Sequence, residues 1–371
     1  MIGRQADVRE IGLALENGTS LVVAGPRRTG KTSVCDAALL RAKAAGFYVA
    51  AVDLFRLADA AEFAEVLASA VLSNRPAAHK LVGRARKFGR NALDAAQGAA
   101  ALKLRDQLGD GVEIALTPGF AARDPAKALV SALELPQRVA QADGKRIVVF
   151  FDEFQEVANA RHPFGHPDQV TKQMRAVFQR SSEVSYLFAG SLEHVMRDLF
   201  GPQSRALSGF GSFHDLRPIT DDDWATGLRE RFEGDGCTID DDALTSLIGL
   251  GELHPRVTML IAQKAHFLTV LLDERRVTQD IVTQGYDLAY TGDRALLDQL
   301  IDTIRSTHRQ SLTVARRIAH GGKLTGGAHA GDIDRARTKL QDAGIIERIG
   351  HGRYRIANPL LRRHLIESEP I

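Results

Sequence analysis

Short apolar runs alternate with amphipathic stretches through the first 218 residues of the chain. The apolar runs lack polar alternation, which is typical of strands buried on both faces of a parallel sheet. These runs span 20–25, 47–53, 147–152, 184–190 and 213–216. Apolar positions with helical spacing lie between them, over 3–17, 31–45, 59–72, 125–142 and 168–180. Strands that alternate with helices in this way predict an α/β fold with a parallel sheet.

Two stretches of this half depart from the simple alternation. The run 112–117 predicts a short edge strand or a hairpin. The helix predicted over 125–142 contains Pro136, where we expect it to break or kink because proline lacks the backbone N–H.

The second half of the chain has helical periodicity almost throughout. Helices are predicted over 220–232, 240–250, 255–272, 295–305, 311–320, 332–344 and 358–365. Two short strands, 345–349 and 352–356, follow the third helix of the last group, and this order predicts a winged helix. We therefore expect three domains: an α/β core over 1–218 with a helical insertion at 75–112, a helical domain over 219–294, and a winged-helix domain over 295–371.

The composition is that of an ordinary soluble protein. The 371 residues are 44% hydrophobic and 25% charged, with a formal net charge of +2. No apolar run reaches the roughly 18 residues of a membrane helix, and the first residues lack the apolar segment of a signal peptide. The two cysteines, Cys35 and Cys237, form neither a disulfide framework nor a metal motif. We expect a cytoplasmic protein without a membrane partner.

A basic segment, 79–90, stands out within the predicted insertion. Its charge is compatible with a nucleic-acid or protein contact, and also with the solvated face of a helix. The second interpretation is favoured, because runs of like charge usually face solvent.

The first strand leads into Gly25-Pro-Arg-Arg-Thr-Gly-Lys31-Thr32, and helix-forming residues follow it. This strand-loop-helix context is the one that the G-x-x-x-x-G-K-[ST] phosphate loop requires. Its predicted nucleotide-binding residues are Gly25, Pro26, Arg27, Arg28, Thr29, Gly30, Lys31, Thr32 and Ser33. Lys31 would contact the β- and γ-phosphates, and the Thr32 hydroxyl would bind Mg²⁺. An ordinary glycine turn is the alternative, but both the spacing and the flanking elements would then be accidental.

Two of these loop residues allow a second interpretation. Arg27 and Arg28 either face solvent, which we favour, or add phosphate contacts.

The strand 147–152 ends in Asp152-Glu153, so both carboxylates emerge at the sheet edge where α/β proteins bind ligands. Asp152 would hold Mg²⁺, and Glu153 would act as the general base for an attacking water. Ser191 follows the next strand. Its hydroxyl would contact the γ-phosphate or the attacking water, or would cap the helix that begins near Leu192.

Several motifs together resemble those of STAND-class, AAA+-related P-loop ATPases of the archaeal type, which are related to origin-recognition ATPases. The matching pieces are Ile2-Gly-Arg4, the phosphate loop, Phe151-Asp-Glu-Phe-Gln155, Gly190-Ser191, Leu253-His-Pro255, Tyr354 and Asn358-Pro-Leu-Leu. The resemblance implies a P-loop NTPase sheet of the ASCE type, with strand order 5-1-4-3-2.

The same resemblance implies roles for residues outside the phosphate loop. The domain 219–294 would be a lid over the nucleotide base, with His254 and Pro255 near adenine. Arg256 would occupy the sensor-2 position, and Arg205 is the candidate for the catalytic arginine that precedes the last strand.

The predicted function is a slow, Mg²⁺-dependent ATPase that acts as a molecular switch, with ATP and ADP as ligands. One alternative is a kinase of a small molecule. Another is an ATP-regulated protein that binds DNA through the winged helix, since residues 295–371 hold 13 Lys/Arg against 8 Asp/Glu. The predicted recognition helix is nevertheless of mixed charge. A protein partner or self-association is also compatible with the switch prediction.

Overall fold

The computed structural model describes residues 1–25, 29–75, 106–117, 119–158, 166–203, 205–322, 329–350 and 352–368. The described residues divide into two compact units. The α/β unit comprises the described parts of Ala6–Gly25 and Lys31–Leu216. The helical unit comprises the described parts of Met1–Gln5, Pro26–Gly30 and Arg217–Ile371.

The first part of the chain alternates strands and helices, as the hydrophobic pattern predicts. In chain order the described elements are α1 (Gln5–Glu16), β1 (Leu21–Ala24), α2 (Lys31–Ala44), β2 (Tyr48–Asp53), α3 (Ala60–Leu72), α4 (Gly111–Leu116), α5 (Pro125–Asp143), β3 (Ile147–Asp152), α6 (Pro167–Phe178), β4 (Val184–Gly190), α7 (Glu193–Phe200) and β5 (Ser212–Phe213).

The five strands form one sheet in the order β2-β3-β4-β1-β5, and every pair of neighbours is parallel. Read from the opposite edge, this is the order 5-1-4-3-2. The predicted fold class is therefore confirmed for the sheet. The last strand is shorter than predicted, since it ends at Phe213.

The two faces of the sheet are covered by different helices. On β3, Val149 and Phe151 point into a large core shared with α3, α5 and α6, while Val148 and Phe150 face a smaller core against α1 and α2. Successive strand side chains point to opposite faces, so burial on both sides explains the continuous apolar runs.

Aromatic side chains support the end of β3. Phe151 packs between Phe63 and Phe188, with ring centroids 5.9 and 5.8 Å away. Phe154, two residues beyond the strand, lies 4.7 Å from Phe188. These rings are fully buried. The two carboxylates that lie between Phe151 and Phe154 in the sequence thus project from a tightly packed base.

One prediction about this unit was wrong. Residues 112–117 fall largely in helix α4, and Gly111 packs so closely on Leu135 that a Cβ would lie 2.8 Å from its Cδ1.

Of the two expectations at Pro136, the break is contradicted and the kink stays a prediction. Pro136 lies inside α5, which continues from Pro125 to Asp143. The buried apolar face of α5 on both sides of Pro136 maintains the helix despite the missing N–H.

The helical unit contains α8 (Asp221–Gly234), β6 (Thr238–Ile239), α9 (Asp241–Gly251), α10 (Pro255–Leu271), β7 (Arg276–Val277), α11 (Gln279–Gly292), α12 (Arg294–Thr307), α13 (Ser311–Ala319), α14 (Ala330–Asp342), β8 (Ile346–Gly350), β9 (Arg353–Ile356) and α15 (Pro359–Glu367). Strands β6 and β7 form a short parallel pair, and β8 and β9 form an antiparallel hairpin. One continuous apolar core runs from Trp224 to Leu365. The winged-helix assignment and the three domain boundaries stay predictions.

Two other expectations from sequence concern the basic segment and membrane-spanning helices. The basic segment 79–90 lies outside the described residues. Within the described ranges, the structure holds no helix with both the length and the apolar character needed to cross a bilayer.

Candidate active site

The carboxyl ends of three neighbouring strands converge at one edge of the sheet. Strand β4 lies between β1 and β3, so Gly25, Asp152 and Gly190 come to the same edge. The Gly25 backbone N–H donates to the Gly190 carbonyl oxygen at 3.3 Å. This edge is where parallel sheets bind ligands.

Helix α2 begins at Lys31, within the last residues of the predicted phosphate loop. Gly30 has φ of +90°, a conformation that favours glycine and turns the chain into the helix. The Lys31 side chain is 6% exposed and folds back over Gly25, where a Cβ would lie 3.9 Å from the lysine Cδ. The helix N-terminus and the lysine both favour an anion at this point.

Thr32 and Asp152 meet although 120 residues separate them. The Thr32 Oγ1 donates to Asp152 Oδ2 at 2.9 Å. A hydroxyl beside a carboxylate is the pair of hard oxygen ligands that Mg²⁺ takes from protein, with phosphate oxygens and water completing its shell. The residues present therefore fit the metal that was predicted from sequence.

Burial raises the pKa of Asp152 above the ordinary aspartate value, and the charges of Glu153 and Asp53 act in the same direction. Hydrogen bonds from the Thr32 hydroxyl and the Glu153 backbone N–H oppose the increase. The carboxylate is thus held in an environment that disfavours its negative charge. A cation at this position would relieve that cost.

Glu153 occupies an unusual backbone conformation for a residue with a side chain, with φ of +50°. Such a conformation costs about 1 kcal/mol or more, and it often occurs at functional sites. The Glu153 N–H donates to Asp152 Oδ1 at 2.9 Å, which stabilises the turn. The turn brings the Glu153 carboxylate to Ser191 at the end of β4, where the serine Oγ donates to Glu153 Oε2 at 2.7 Å.

Ser191 directly precedes the N-cap residue of the following helix. The N-cap position of α7 is Leu192, which makes no side-chain cap. The Ser191 hydroxyl lies beside the predicted general base, to which it donates. Its predicted contact with the γ-phosphate or the attacking water stays a prediction.

The other predicted loop residues are only partly described. Pro26, Arg27 and Arg28 lie outside the described residues. The Thr29 carbonyl accepts a hydrogen bond of 3.0 Å from Arg4 Nη2, and Arg4 Nη1 donates to the Arg217 carbonyl. Ser33 is exposed in the first turn of α2.

The predicted base-binding residues begin helix α10 of the helical unit. His254 is its N-cap, and the imidazole Nδ1 accepts from the Val257 N–H at 3.3 Å. Pro255 is the first helical residue, where the missing N–H costs nothing. Arg256 forms a bidentate ion pair with Asp293, at 2.6 and 2.9 Å. The nucleotide contacts of these three residues stay predictions.

Arg205, the predicted catalytic arginine, is bound to acidic neighbours. Its guanidinium donates to Asp198 and lies 3.5 Å from an Asp168 oxygen. The side chain is 42% exposed. A catalytic role would require it to leave these carboxylates, and this role also stays a prediction.

Two residues of the site were not predicted. The sequence assigns Gln155 no role beyond its place in a motif, yet its amide bonds to both Glu153 and Ser191. Arg4 was likewise part of a motif, yet it contacts Thr29 in the phosphate loop. The only signal for either was its place in a matching motif, since nothing in the local pattern of Gln155 or Arg4 indicates these partners.

No protein-family model matches the sequence, and neither does any curated protein. Solved structures do. A Walker-type ATPase of Pyrococcus abyssi superposes with a TM-score of 0.69 at 15% identity, covering 99% of this chain and 96% of that one. The ORC2 protein of Aeropyrum pernix, in its ADPNP and ADP complexes, superposes with a TM-score of 0.60 at 15% identity, covering 98% and 91%. The chain has the fold of a P-loop ATPase.

The ADP form of the same ORC2 protein superposes with a TM-score of 0.52 at 14% identity. At these identities the likeness concerns the fold. It covers nearly the whole chain, including the helical unit, and agrees with the resemblance found from the motifs.

Proposed function

We propose that the chain is a Mg²⁺-dependent ATPase whose site is the sheet edge formed by Gly25, Lys31, Thr32, Asp152, Glu153 and Ser191 of the α/β unit. The hydrogen bond between Thr32 and Asp152 is the observation that carries the proposal. It joins the start of the phosphate-loop helix to the acid at the end of β3, which is the arrangement needed to hold a metal-bound triphosphate.

Each group then has a defined task. The Lys31 ammonium, near the N-terminus of α2, would bind the β- and γ-phosphates and offset their charge. Mg²⁺ held by Thr32 and Asp152 would add positive charge at the same phosphates. Glu153 would take a proton from water as the water oxygen bonds to the γ-phosphorus. The bond from that phosphorus to the bridging oxygen breaks, and ADP leaves with the bonding electrons.

We further propose that nucleotide state is coupled to the orientation of the predicted lid and winged helix, which would make the protein a switch. The fold likeness to ORC2, which was solved with ADPNP and with ADP, supports this proposal. Coupling requires contacts that differ between the two nucleotides. Lys31, Ser191 and Arg256 are the residues predicted to make such contacts with the γ-phosphate.

The kinase alternative is less well supported. A kinase must exclude water from its acceptor site, whereas Glu153 beside Asp152 is suited to activating water. The DNA-binding alternative is also less well supported, because arginines of α14 are paired within the chain. Arg337 bonds to Asp334, and Arg335 lies 3.7 Å from Asp332.

The experiment is to follow the γ-phosphate of labelled ATP with the full chain and Mg²⁺. We expect slow release of inorganic phosphate that a chelator abolishes. Adding small-molecule alcohols and amines as acceptors should not divert the label. Transfer to an acceptor, or no release above the level of buffer, would contradict the ATPase assignment.

A further inference from the structure

Gln155 is almost completely buried beside the proposed general base. It lies in the short 3₁₀ segment Phe154–Ala158 that follows β3, and it is 3% exposed. Its Nε2 donates to Glu153 Oε2 and to Ser191 Oγ, the latter at 3.3 Å. Its Oε1 accepts from the Ser191 backbone N–H at 3.1 Å. One amide therefore contacts both the proposed general base, Glu153, and the hydroxyl that is predicted to contact the γ-phosphate, that of Ser191.

The orientation of this amide is fixed by its partners. A backbone N–H can only donate, so the amide oxygen must face Ser191 N. An ionised carboxylate can only accept, so the amide nitrogen must face Glu153. A flipped amide would place donor against donor and acceptor against acceptor.

The amide in turn directs the hydroxyl proton of Ser191. Because Gln155 Nε2 donates to the serine oxygen, the single hydroxyl proton must point to another acceptor. That acceptor is Glu153 Oε2, at 2.7 Å. A γ-phosphate oxygen at the end of β4 would compete with Glu153 for the same proton.

This competition links the phosphate to the general base. A carboxylate oxygen accepts about two hydrogen bonds, and Glu153 Oε2 already receives one from Ser191 and one from Gln155. When the serine proton turns to a γ-phosphate, Oε2 regains room to accept a proton from water. ADP has no γ-phosphate, so it leaves the serine proton on Glu153.

The amide also packs closely against the end of β4. Gly190 ends β4, and a Cβ there would lie 2.8 Å from Gln155 Oε1 and 2.5 Å from the Met196 side chain. Gly190 therefore permits the close approach of the amide to the strand.

We propose that Gln155 is a positioning residue that directs the Ser191 hydroxyl proton, so that this hydroxyl senses the third phosphate, and that holds Glu153 Oε2 where it can accept a proton from water when ATP is bound. The proposal rests on the ATPase function above. It predicts that Gln155 affects turnover much more than nucleotide affinity.

The test measures kcat, KM for ATP and the Kd for Mg²⁺-ADP of the full chain carrying Gln155→Met, which keeps the volume and removes the amide. We expect kcat to fall about 10- to 100-fold, as for a misplaced catalytic group, with KM and Kd changed less than about threefold. Gln155→Asn keeps an uncharged amide at this position and shortens the side chain by one methylene, so it should fold even if the methionine variant does not. Because the shorter amide cannot reach both Glu153 and Ser191, it should also lower kcat.

A double mutant separates positioning from ordinary packing. Because Gln155 and Ser191 bond to each other and hold the same oxygen of Glu153, Gln155→Met combined with Ser191→Ala should lower kcat by less than the product of the two single losses. Gln137→Met is the matched control. Gln137 also accepts from a backbone N–H, that of Glu183 at 2.9 Å, and donates to the hydroxyl of Ser182 at 3.4 Å, but at the amino end of β4. It should leave kcat unchanged.

Two results would overturn the proposal. One is a kcat equal to that of the wild type in Gln155→Met or, if that variant does not fold, in Gln155→Asn. The other is losses that multiply in the double mutant. Neither result would change the turnover of the wild type, so the ATPase assignment would still hold. Absence of turnover in the wild type itself would instead contradict the ATPase assignment.

Discussion

Carboxylates in the two units are in opposite electrostatic situations. At the edge of the α/β unit, burial raises the pKa of Asp152, and its hydrogen-bond donors are a hydroxyl and a backbone N–H. In the helical unit, hydrogen bonds from Arg309 and Arg363 lower the pKa values of Asp332 and Glu367. The Asp152 carboxylate is therefore buried and bonded by neutral donors, whereas Asp332 and Glu367 are each bonded by a charged arginine.

This difference separates chemistry from architecture. A buried carboxylate that is not neutralised by the protein is suited to a metal, and it lowers the stability of the nucleotide-free chain. A carboxylate that is bonded to arginine stabilises the fold, and its charge is already balanced, so it binds a further cation less well. We therefore place the reaction in the α/β unit and assign the ion pairs of the helical unit mainly to structure.

The largest effect is expected for Lys31→Ala. Loss of the ammonium at the phosphates should weaken Mg²⁺-ATP binding roughly 100-fold, because a hydrogen bond to a charged group contributes about 1.5–3 kcal/mol. Fluorescent-nucleotide titration measures this. Lys43→Ala, an exposed lysine on the same helix, is the control and should bind as the wild type does. Equal affinities for the two variants would refute the phosphate-loop assignment.

The next effect is expected for Asp152→Asn. The amide can still bond to Thr32 and to the Glu153 N–H, while the buried charge is gone. We expect phosphate release to fall about 100-fold and the Tm of the nucleotide-free chain at neutral pH to rise, because a carboxyl with a raised pKa is ionised there at a cost. A fall in Tm would show that the folded chain stabilises the charge of Asp152. That result would contradict the difference between the carboxylates of the two units.

A smaller effect is expected when the Arg256–Asp293 pair is broken. Arg256→Ala and Asp293→Asn should each lower the free energy of unfolding by about 1–2 kcal/mol, since the pair is bidentate and only partly exposed. Because Arg256 is also predicted to contact the γ-phosphate, Arg256→Ala alone should weaken ATP binding. If both variants bind ATP with equal affinity, Arg256 has no role in ATP binding beyond its structural pair with Asp293.

The smallest effect is expected for Asp332→Asn. A pKa lowered in the folded chain means that the carboxylate stabilises the fold above the ordinary aspartate value of 3.8 and that this contribution is lost as pH falls through the lowered value. The variant should therefore have a slightly lower Tm than the wild type at pH 7, and the gap should close below pH 3.8. Asp302→Asn, whose carboxylate is 74% exposed, is the control and should show no gap.

Sequence was sufficient for the parts of the site that are contiguous in the chain. The phosphate loop and Asp152-Glu153 carry their chemistry in adjacent residues, and the apolar runs around them are buried on both faces of the sheet. The strand order came from the family resemblance, and the structure confirms it.

Sequence was insufficient where a contact depends on register or on backbone conformation. The bonds from Gln155 to Glu153 and Ser191 need the ends of β3 and β4 side by side and Glu153 in a left-handed conformation, which no local pattern indicates. The stretch 112–117 was too short for its periodicity to distinguish strand from helix. Close packing of Gly111 on Leu135, a tertiary contact, accompanies the helix found there.

The measurement that tests the account most directly is single-turnover hydrolysis by Glu153→Gln, made together with its Mg²⁺-ATP affinity. The change keeps the size of the side chain and removes its ability to take a proton. We predict an affinity within about threefold of the wild type and a hydrolysis rate at least about 100-fold lower. Undiminished hydrolysis at the same affinity would contradict the assignment of Glu153 as the general base.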